Sequence, residues 1–559
     1  MKGYIDMKQG SKILVRRYNI YSGLEVKTEE VSICVDPAKI MPDILTQLEP
    51  DIILISHESM DHLDPVQVYY LQKKRNAKIF CSIAVAVDLQ QYYSGDIDFI
   101  DSIQVMLPGS IEIYKNVMIF AEKSLHCDYM LPLIFKMVFK KSKISIIHCI
   151  DSLITEKLIS LTNSSSIGII PLGIAKGIDS DSGIEFMTKL DCSVFIPNHY
   201  TNQLERCIEK INELDLEKRL NSKFIPLEWN QYCEINESDL SKERIDIELK
   251  EISNIEDIII KLKSGKNLEN NLLNLIHQLN CQKGNIIEKR LLNLLIDIFD
   301  KGEKNIKAIV LMIFTIITLY DSFVLEEDVL TKIRKELVLL SNQNRDDLKA
   351  SILFFLGVYS QQSQTIRFVD EVFENANDKN EYITYWVVEC LGRMAVSRDK
   401  INRQAVKYLE KIVEKKSIYN SLVVRRKIFW EFMRISKFQP SASSMFIKLY
   451  EGGLTDFNPD VRLLAIICIG YLCRTNIDIE KDLLDKMSNL FRDEEDDVRE
   501  TYAYVIKYVY AYYPNEVKTY KDKILALTKD INIHVKIAAK ETMKKIGGDN
   551  FGIRSSCDK

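Results

Sequence analysis

The chain has 559 residues, too many for one hydrophobic core, so two or more domains are expected. Its 46% hydrophobic and 28% charged residues are ordinary for a soluble globular protein, and a net charge of −5 gives no overall bias towards nucleic acid, leaving only contact through a local patch. Twelve cysteines without a C-x-x-C pair argue against a disulfide framework or a zinc ribbon and for a reducing compartment.

Residues 1–19 lack the continuous apolar run of a signal peptide. Residues 12–35 read as strands broken by the Ser22-Gly23 turn and closed by Asp36-Pro37. Residues 38–50 read as a helix, and Ile52–Ile55 is a short apolar run that suits a buried strand. Four residues of metal-ligand type follow it at once: His57, Glu58, Asp61 and His62. Two imidazoles and a carboxylate within six residues of a strand end can converge on one ion. Pro65 then opens a helix over 65–76, AKIFCSI reads as a strand, and so do IDFID and IEIYKNVMIF. Next come Lys123-Ser124-Leu125-His126 and the hairpin LIFKMVF/ISIIHCI, which ends at Asp151-Ser152. The run Ser166–Gly173 is a buried strand, and Asp191–Tyr200 a strand carrying Pro197-Asn198-His199. Residues 201–216 read as the last helix of this part and KFIPLEWNQYCEI as a returning strand.

The sequence His57-Glu58-Ser59-Met60-Asp61-His62, with Asp36-Pro37 before it and His126, Asp151 and His199 at later strand ends, resembles the metallo-β-lactamase fold. SHESMDHLDP and IPNHY look most like its ascorbate-6-phosphate-lactonase-like branch, which also holds cyclic-nucleotide phosphodiesterases and N-acylphosphatidylethanolamine phospholipases. The resemblance covers about residues 10–240 and implies an α/β fold, an αββα sandwich whose ligands meet at one rim. It implies two divalent ions, zinc or manganese. One would be held by His57, residue 59 and His126, the other by Asp61, His62 and His199, with Asp151 bridging. Asp61 and Asp151 are the implied catalytic residues, Asp151 orienting a metal-bound hydroxide, and Asp36 a structural brace. Where the family has histidine this chain has Ser59, a poor ligand beside imidazole and carboxylate, which reduces the expectation to one full site and one depleted site, or a single ion.

Other residues have blander readings. His148, inside a strand, is expected to be a core or supporting histidine, Glu58 to face solvent, and Lys136, Lys140, Lys141 and Lys143 to form a solvated hairpin tip. Gly173 and Lys176 are candidates for the substrate mouth, where backbone amides and a cation meet an anion.

From about residue 250 helical periodicity takes over. Val461-Arg462, Val498-Arg499 and Val535-Lys536 recur every 37 residues, and Val424-Arg425 lies one step earlier. Ile383-Thr384, Leu348-Lys349 and Ile306-Lys307 fit with looser spacing, and an Asp stands five residues before the pair at 378, 456, 493 and 530. The pattern resembles HEAT-like repeats, an all-α solenoid over about 285–546 with a cap at 254–280. The basic residue of each pair is expected to bond the turn Asp of an adjacent unit rather than a phosphate. Ala308–Tyr320, the longest apolar stretch, is shorter than the ~20 residues a membrane span needs and reads as a buried helix.

The expected domains are 1–240, 250–546 and a frayed tail from 547. The first functional reading is a cytoplasmic metal-dependent hydrolase of an ester-type bond, phosphodiester or lactone. It would take an anionic small molecule or phosphodiester, with a protein partner on the solenoid, no membrane, and nucleic acid disfavoured but not excluded. The second, favoured by Ser59, is a degenerate metal-binding sensor whose helical half does the binding.

Overall fold

The computed structural model describes residues 12–19, 21–125, 131–162, 165–172, 180–198, 204–227, 231–236, 240, 255–281, 289–321, 325–340, 346–363, 368–376, 380–397, 400–474 and 479–547. The chain forms two compact units, Met1–Asp321 and Ser322–Lys559. No described helix is long and apolar enough to cross a membrane.

The first unit is α/β, as the sequence implies. Its strands are β1 (Lys12–Arg17), β2 (Leu24–Lys27), β3 (Ser32–Val35), β4 (Ile52–Ile55), β5 (Lys78–Cys81), β6 (Ile103–Val105), β7 (Ile111–Tyr114), β8 (Val117–Lys123), β9 (Leu133–Phe139), β10 (Ile144–His148), β11 (Ile167–Pro171), β12 (Val194–Asn198), β13 (Lys223–Phe224) and β14 (Tyr232–Asn236). They pair into two seven-stranded sheets, β14-β1-β2-β3-β4-β5-β6 and β13-β12-β11-β10-β9-β8-β7. β3 to β6 run parallel, as do β10 to β13, and the remaining pairs are antiparallel. One hydrophobic core joins the sheets, with Val15, Val26, Ile33 and Leu54 from the first and Ile119, Phe135, Ile146 and Phe195 from the second. β4, β10, β11 and β12 are buried at every position, so helices must cover their outer faces as well.

Two segments, IDFID and 38–50, depart from the sequence reading, and a third, Ile83–Tyr93, forms a helix that the reading did not include. IDFID is a helix, Ile97–Ser102, because Asp96 accepts the Phe99 N–H at 3.0 Å and only Phe99 of this turn is buried. Ile83–Tyr93, which lacks a clear period, is a helix capped by Ser82. Within 38–50 only Pro42–Leu45 is helical.

The change from strands to helices falls where expected, but the first compact unit runs on to Asp321 and takes in the helices Ile255–Lys263, Leu268–Cys281, Lys289–Lys301 and Lys304–Asp321. The reason lies in β6, an edge strand with one row of backbone groups needing partners. The Asn280 amide stands in for the missing strand, donating to Val105 O at 2.7 Å and accepting from Val105 N at 3.2 Å. Tyr320 Oη donates to Ile103 O at 3.2 Å. The segments read as a solenoid cap and first repeat thus close the edge of a sheet.

The second unit is helical, with Asp347–Ser363, Glu381–Ala395, Leu422–Phe438, Pro459–Leu472, Asp496–Val509 and Ile533–Gly547 packed each on the next. Each ladder arginine reaches one repeat ahead. Arg425 donates to both oxygens of Asp456 at 2.8 and 3.3 Å, Arg462 to Asp493 at 2.7 and 2.6 Å, and Arg499 to Asp530 at 2.8 and 3.1 Å. The remaining terminal nitrogen holds two carbonyls of the turn before its own helix, as with Asp456 O and Phe457 O for Arg462 at 2.8 and 3.2 Å. Asp456, Asp493 and Asp530 each also accept a backbone N–H two residues on, at 2.9 to 3.0 Å. Earlier in the unit, where Thr384 takes the arginine's place, five buried charges do the joining: Glu389 and Arg393 on one helix, Lys427, Glu431 and Arg434 on the next. Gly392 makes room for them, since a Cβ there would lie 2.1 Å from Glu431 Oε2.

Asp493→Ala strands the largely buried Arg462 and is expected to cost about 2–3 kcal/mol of urea-unfolding stability. In an Arg462→Met background the same change should cost at least about 1 kcal/mol less, and strict additivity would show that the ladder contributes nothing.

Candidate metal centre

The parallel strands of each sheet release their loops at carboxyl ends, and those ends carry the candidate residues. Asp36 follows β3, Ser56 to His62 follow β4, Asp151 follows β10, and Asn198 ends β12.

Asp36 is the hub. Its Oδ1 accepts Ser56 N–H at 2.8 Å, and its Oδ2 accepts Ser56 Oγ at 3.0 Å, Ser22 Oγ at 3.1 Å and His62 Nδ1 at 2.8 Å. Four donors fill the acceptor capacity of one carboxylate, so Asp36 braces the loop and has nothing left for an ion. Because Asp36 can only accept, His62 Nδ1 carries a proton and Nε2 points away from the hub. Ser56 Oγ gives its one proton to Asp36 and so accepts from His57 Nδ1 at 2.9 Å, which orients the second imidazole in the same sense. The two rings lie 4.0 Å apart, tilted by 39°.

On the far side His62 Nε2 meets Asp151 Oδ2 at 2.9 Å and Asp61 Oδ2 at 3.5 Å. Ligand atoms of His57, His62 and Asp151, all buried, lie within 4.8 Å of one another. Asp61 is at the rim, its side chain 25% exposed, and its Oδ1 accepts the hydroxyl of Ser59. Burial by itself would lower the His62 pKa, but Asp151, then Asp61 and Asp36, outweigh it and hold the imidazole well above its usual value. Three carboxylates around buried imidazoles make a strongly negative spot that favours a cation.

The backbone is bent to deliver these groups. Asp36 has φ 48° and Ile150, just before Asp151, has φ 51°. Aspartate tolerates the left-handed region, whereas for a β-branched residue it costs about 1–3 kcal/mol, and here burial of the Ile150 side chain offsets the strain. Ser152 Oγ accepts Leu125 N–H at 3.1 Å, and Leu153 N–H donates to Leu125 O at 3.2 Å, which ties the chain ahead of residue 126 to the Asp151 turn.

His126, His199, Gly173 and Lys176 lie outside the described residues. Glu58, expected to face solvent, is 4% exposed, and Lys136, expected at a hairpin tip, is buried within β9. His148 is a supporting residue: its Nδ1 accepts Ile150 N–H at 3.0 Å and its Nε2 donates to Ser22 O at 3.0 Å, which Asn198 Nδ2 also reaches at 2.9 Å. Burial pushes the His148 pKa down to about 4. Sequence reasoning missed Ser22 and Ser56, which join this cluster as hydrogen-bond partners without any motif to mark them.

Known proteins offer the following likenesses. No protein-family model matches the chain, and no curated protein matches it by sequence. Igni18, a metallo hydrolase from Ignicoccus hospitalis, is 16% identical, with 40% of this chain and 99% of that one covered at a TM-score of 0.35. The metallo-beta-lactamase fold protein YhfI from Bacillus subtilis is 12% identical over 40% of this chain and 100% of its own, TM-score 0.33. A designed armadillo repeat protein is 14% identical over 38% and 98%, TM-score 0.29.

Asp36→Asn should leave the fold intact yet weaken zinc affinity about 10–100-fold in a chelator-dye competition, because the amide turns a donor towards His62; unchanged affinity would refute the bracing role. His148 stays neutral in the fold but protonates near pH 6.5 once unfolded, so stability present above pH 6.5 is lost as pH falls towards about 4. The loss from this residue is about 3 kcal/mol, and His148→Gln should flatten the fall in urea midpoint between those limits by a corresponding amount.

Proposed function

We propose that the first unit is a metal-dependent hydrolase acting on an ester-type bond, a phosphodiester or a lactone. The convergence of His57, His62 and Asp151 on one buried spot, with both imidazoles oriented from behind by Ser56 and Asp36, carries the reading. The donor set suits zinc or manganese, and one ion held there would supply a Lewis acid and acidify a water molecule. Asp61 would complete the set from the rim, and His126 and His199 would add imidazoles.

The residues themselves have clear tasks. Asp36 and Ser56 keep the Nε2 lone pairs aimed at the site, Asp151 accepts and orients a proton-bearing nucleophile, and Ser59 restrains Asp61 at the entrance. An anionic substrate would be repelled by Asp61 and Asp151 alone, so its binding requires the cation's charge. Gly173 and Lys176 are proposed at the substrate mouth. The helical unit is proposed to recruit a protein partner, and the free cysteines, eight of the nine described being buried, suit a cytoplasmic protein.

The Ser59–Asp61 hydrogen bond favours a second reading, a metal-binding sensor that has lost turnover, because that hydroxyl occupies one oxygen of a would-be ligand. The two part on a simple experiment. Elemental analysis of protein purified without chelator should find at least one divalent ion per chain. That protein should hydrolyse bis(p-nitrophenyl) phosphate or a simple lactone, with Asp61→Ala and Asp151→Asn each lowering kcat/KM by about 100-fold or more. Bound metal without hydrolysis selects the sensor, and absence of metal ends both.

A further inference from the structure

The ladder register sets up a second row of side chains. Nine residues beyond Arg462 and Arg499 stand Tyr471 and Tyr508, and Lys545 holds the same place in the last repeat. The equivalent Arg434 is buried in the five-charge cluster, so the row reaches the surface only from Tyr471 onward. There it is joined by Arg474, Lys507 and Tyr504, the last 48% exposed.

These groups form one connected patch. The Arg474 guanidinium sits 4.8 Å from the Tyr471 ring centre and 5.4 Å from that of Tyr508. The Lys507 ammonium lies 4.0 Å from Tyr504 and 5.3 Å from Tyr508, and Lys545 lies 5.6 Å from Tyr508. Tyr508 Oη donates to Tyr504 Oη at 2.9 Å. Glu541, 3.3 Å from Lys507, is the acid among these described contacts, so three cations face one carboxylate on a chain whose overall charge is −5. Aromatic faces hold the cations in place and reduce the entropy cost of using them.

We propose that this face of the helical unit docks an acidic peptide segment of a partner protein, an inference that rests on the scaffold reading of that unit. Neighbouring helices stand about 10 Å apart, close to one turn of a polyproline-II chain, which rises about 3.1 Å per residue and sets every third side chain on one face, so an acidic residue at every third position meets one cation per repeat. Phosphate of a nucleic acid would meet the same charges, but each of the three rings already holds at least one cation, which competes with a stacked base.

The test is fluorescence anisotropy on the full chain at about 50 mM salt with three labelled probes: a peptide of Glu-Gly-Gly repeats roughly twelve residues long, its Lys-Gly-Gly counterpart, and oligothymidylate of similar length. The acidic peptide is expected to bind at least about tenfold more tightly than either rival and to weaken as salt rises. Arg474→Glu with Lys507→Glu and Lys545→Glu should weaken it about tenfold or more without shifting the thermal midpoint by more than a few degrees; Arg474→Gln with Lys545→Gln is the milder version should the triple variant unfold. Tighter binding of the basic peptide or of the oligonucleotide, or acidic-peptide binding that ignores the substitutions, overturns the assignment and leaves the scaffold reading standing. Failure of all three probes overturns both for this face.

Discussion

One carboxylate, that of Asp36, organises the candidate centre. It sits at the end of a buried strand in a left-handed conformation and receives a backbone amide, two hydroxyls and an imidazole. Those four donors come from three pieces of chain: the loop after β1 (Ser22), the end of β4 (Ser56, twice) and the loop beyond it (His62). A buried carboxylate without partners would cost several kcal/mol, so the fold is compelled to bring these pieces together, and in doing so it aims both histidines outward at Asp151. His148 and Asn198 repeat the arrangement from the second sheet, both bonding Ser22 O. The centre is therefore clamped from two sheets through a single loop.

Strain and negative charge concentrate at the same place. A β-branched residue in left-handed backbone just before Asp151, three carboxylates around one imidazole, and a serine hydroxyl committed to Asp61 each carry a local cost. Sites with such costs are commonly functional, because packing alone gives no reason to keep them. Ser59 gives the centre an asymmetry: the rim carboxylate is restrained by a hydroxyl, while the buried ligands are restrained by Asp36 and Ser56.

The helical unit solves a different problem, the joining of units that cannot bury their faces alone. Where arginine follows the repeat valine, a partly buried ion pair reaches the next turn and a second set of bonds returns to its own. Where threonine stands instead, the join moves into the interior as five charges whose geometry needs Gly392. The ladder is modular and the cluster is not. Beyond the ladder the equivalent row emerges as tyrosines and cations, so one register serves assembly at one position and presents a charged face at another.

Much of this was legible in the chain itself. Apolar runs that stop at ligand-type residues marked the strand ends, because only a buried strand needs such a run and only its end can present polar groups. The 37-residue period predicted both the helices and the Arg–Asp pairing, because a repeated basic residue six positions after a repeated turn acid has a partner at fixed distance. A bracing role for Asp36 was implied by the family resemblance, not by Asp-Pro itself. Other features were decided only in three dimensions. Ser22 and Ser56 have no motif, since a hydroxyl is recruited by whatever carboxylate the fold sets beside it. The helix at Ile97–Ser102 follows from one Asp96 cap that outweighs an alternating pattern. The helices up to Asp321 belong with the sheets because Asn280 and Tyr320 satisfy the open edge of β6, and an edge strand's need for partners is a property of the assembled sheet that no local stretch of sequence can display.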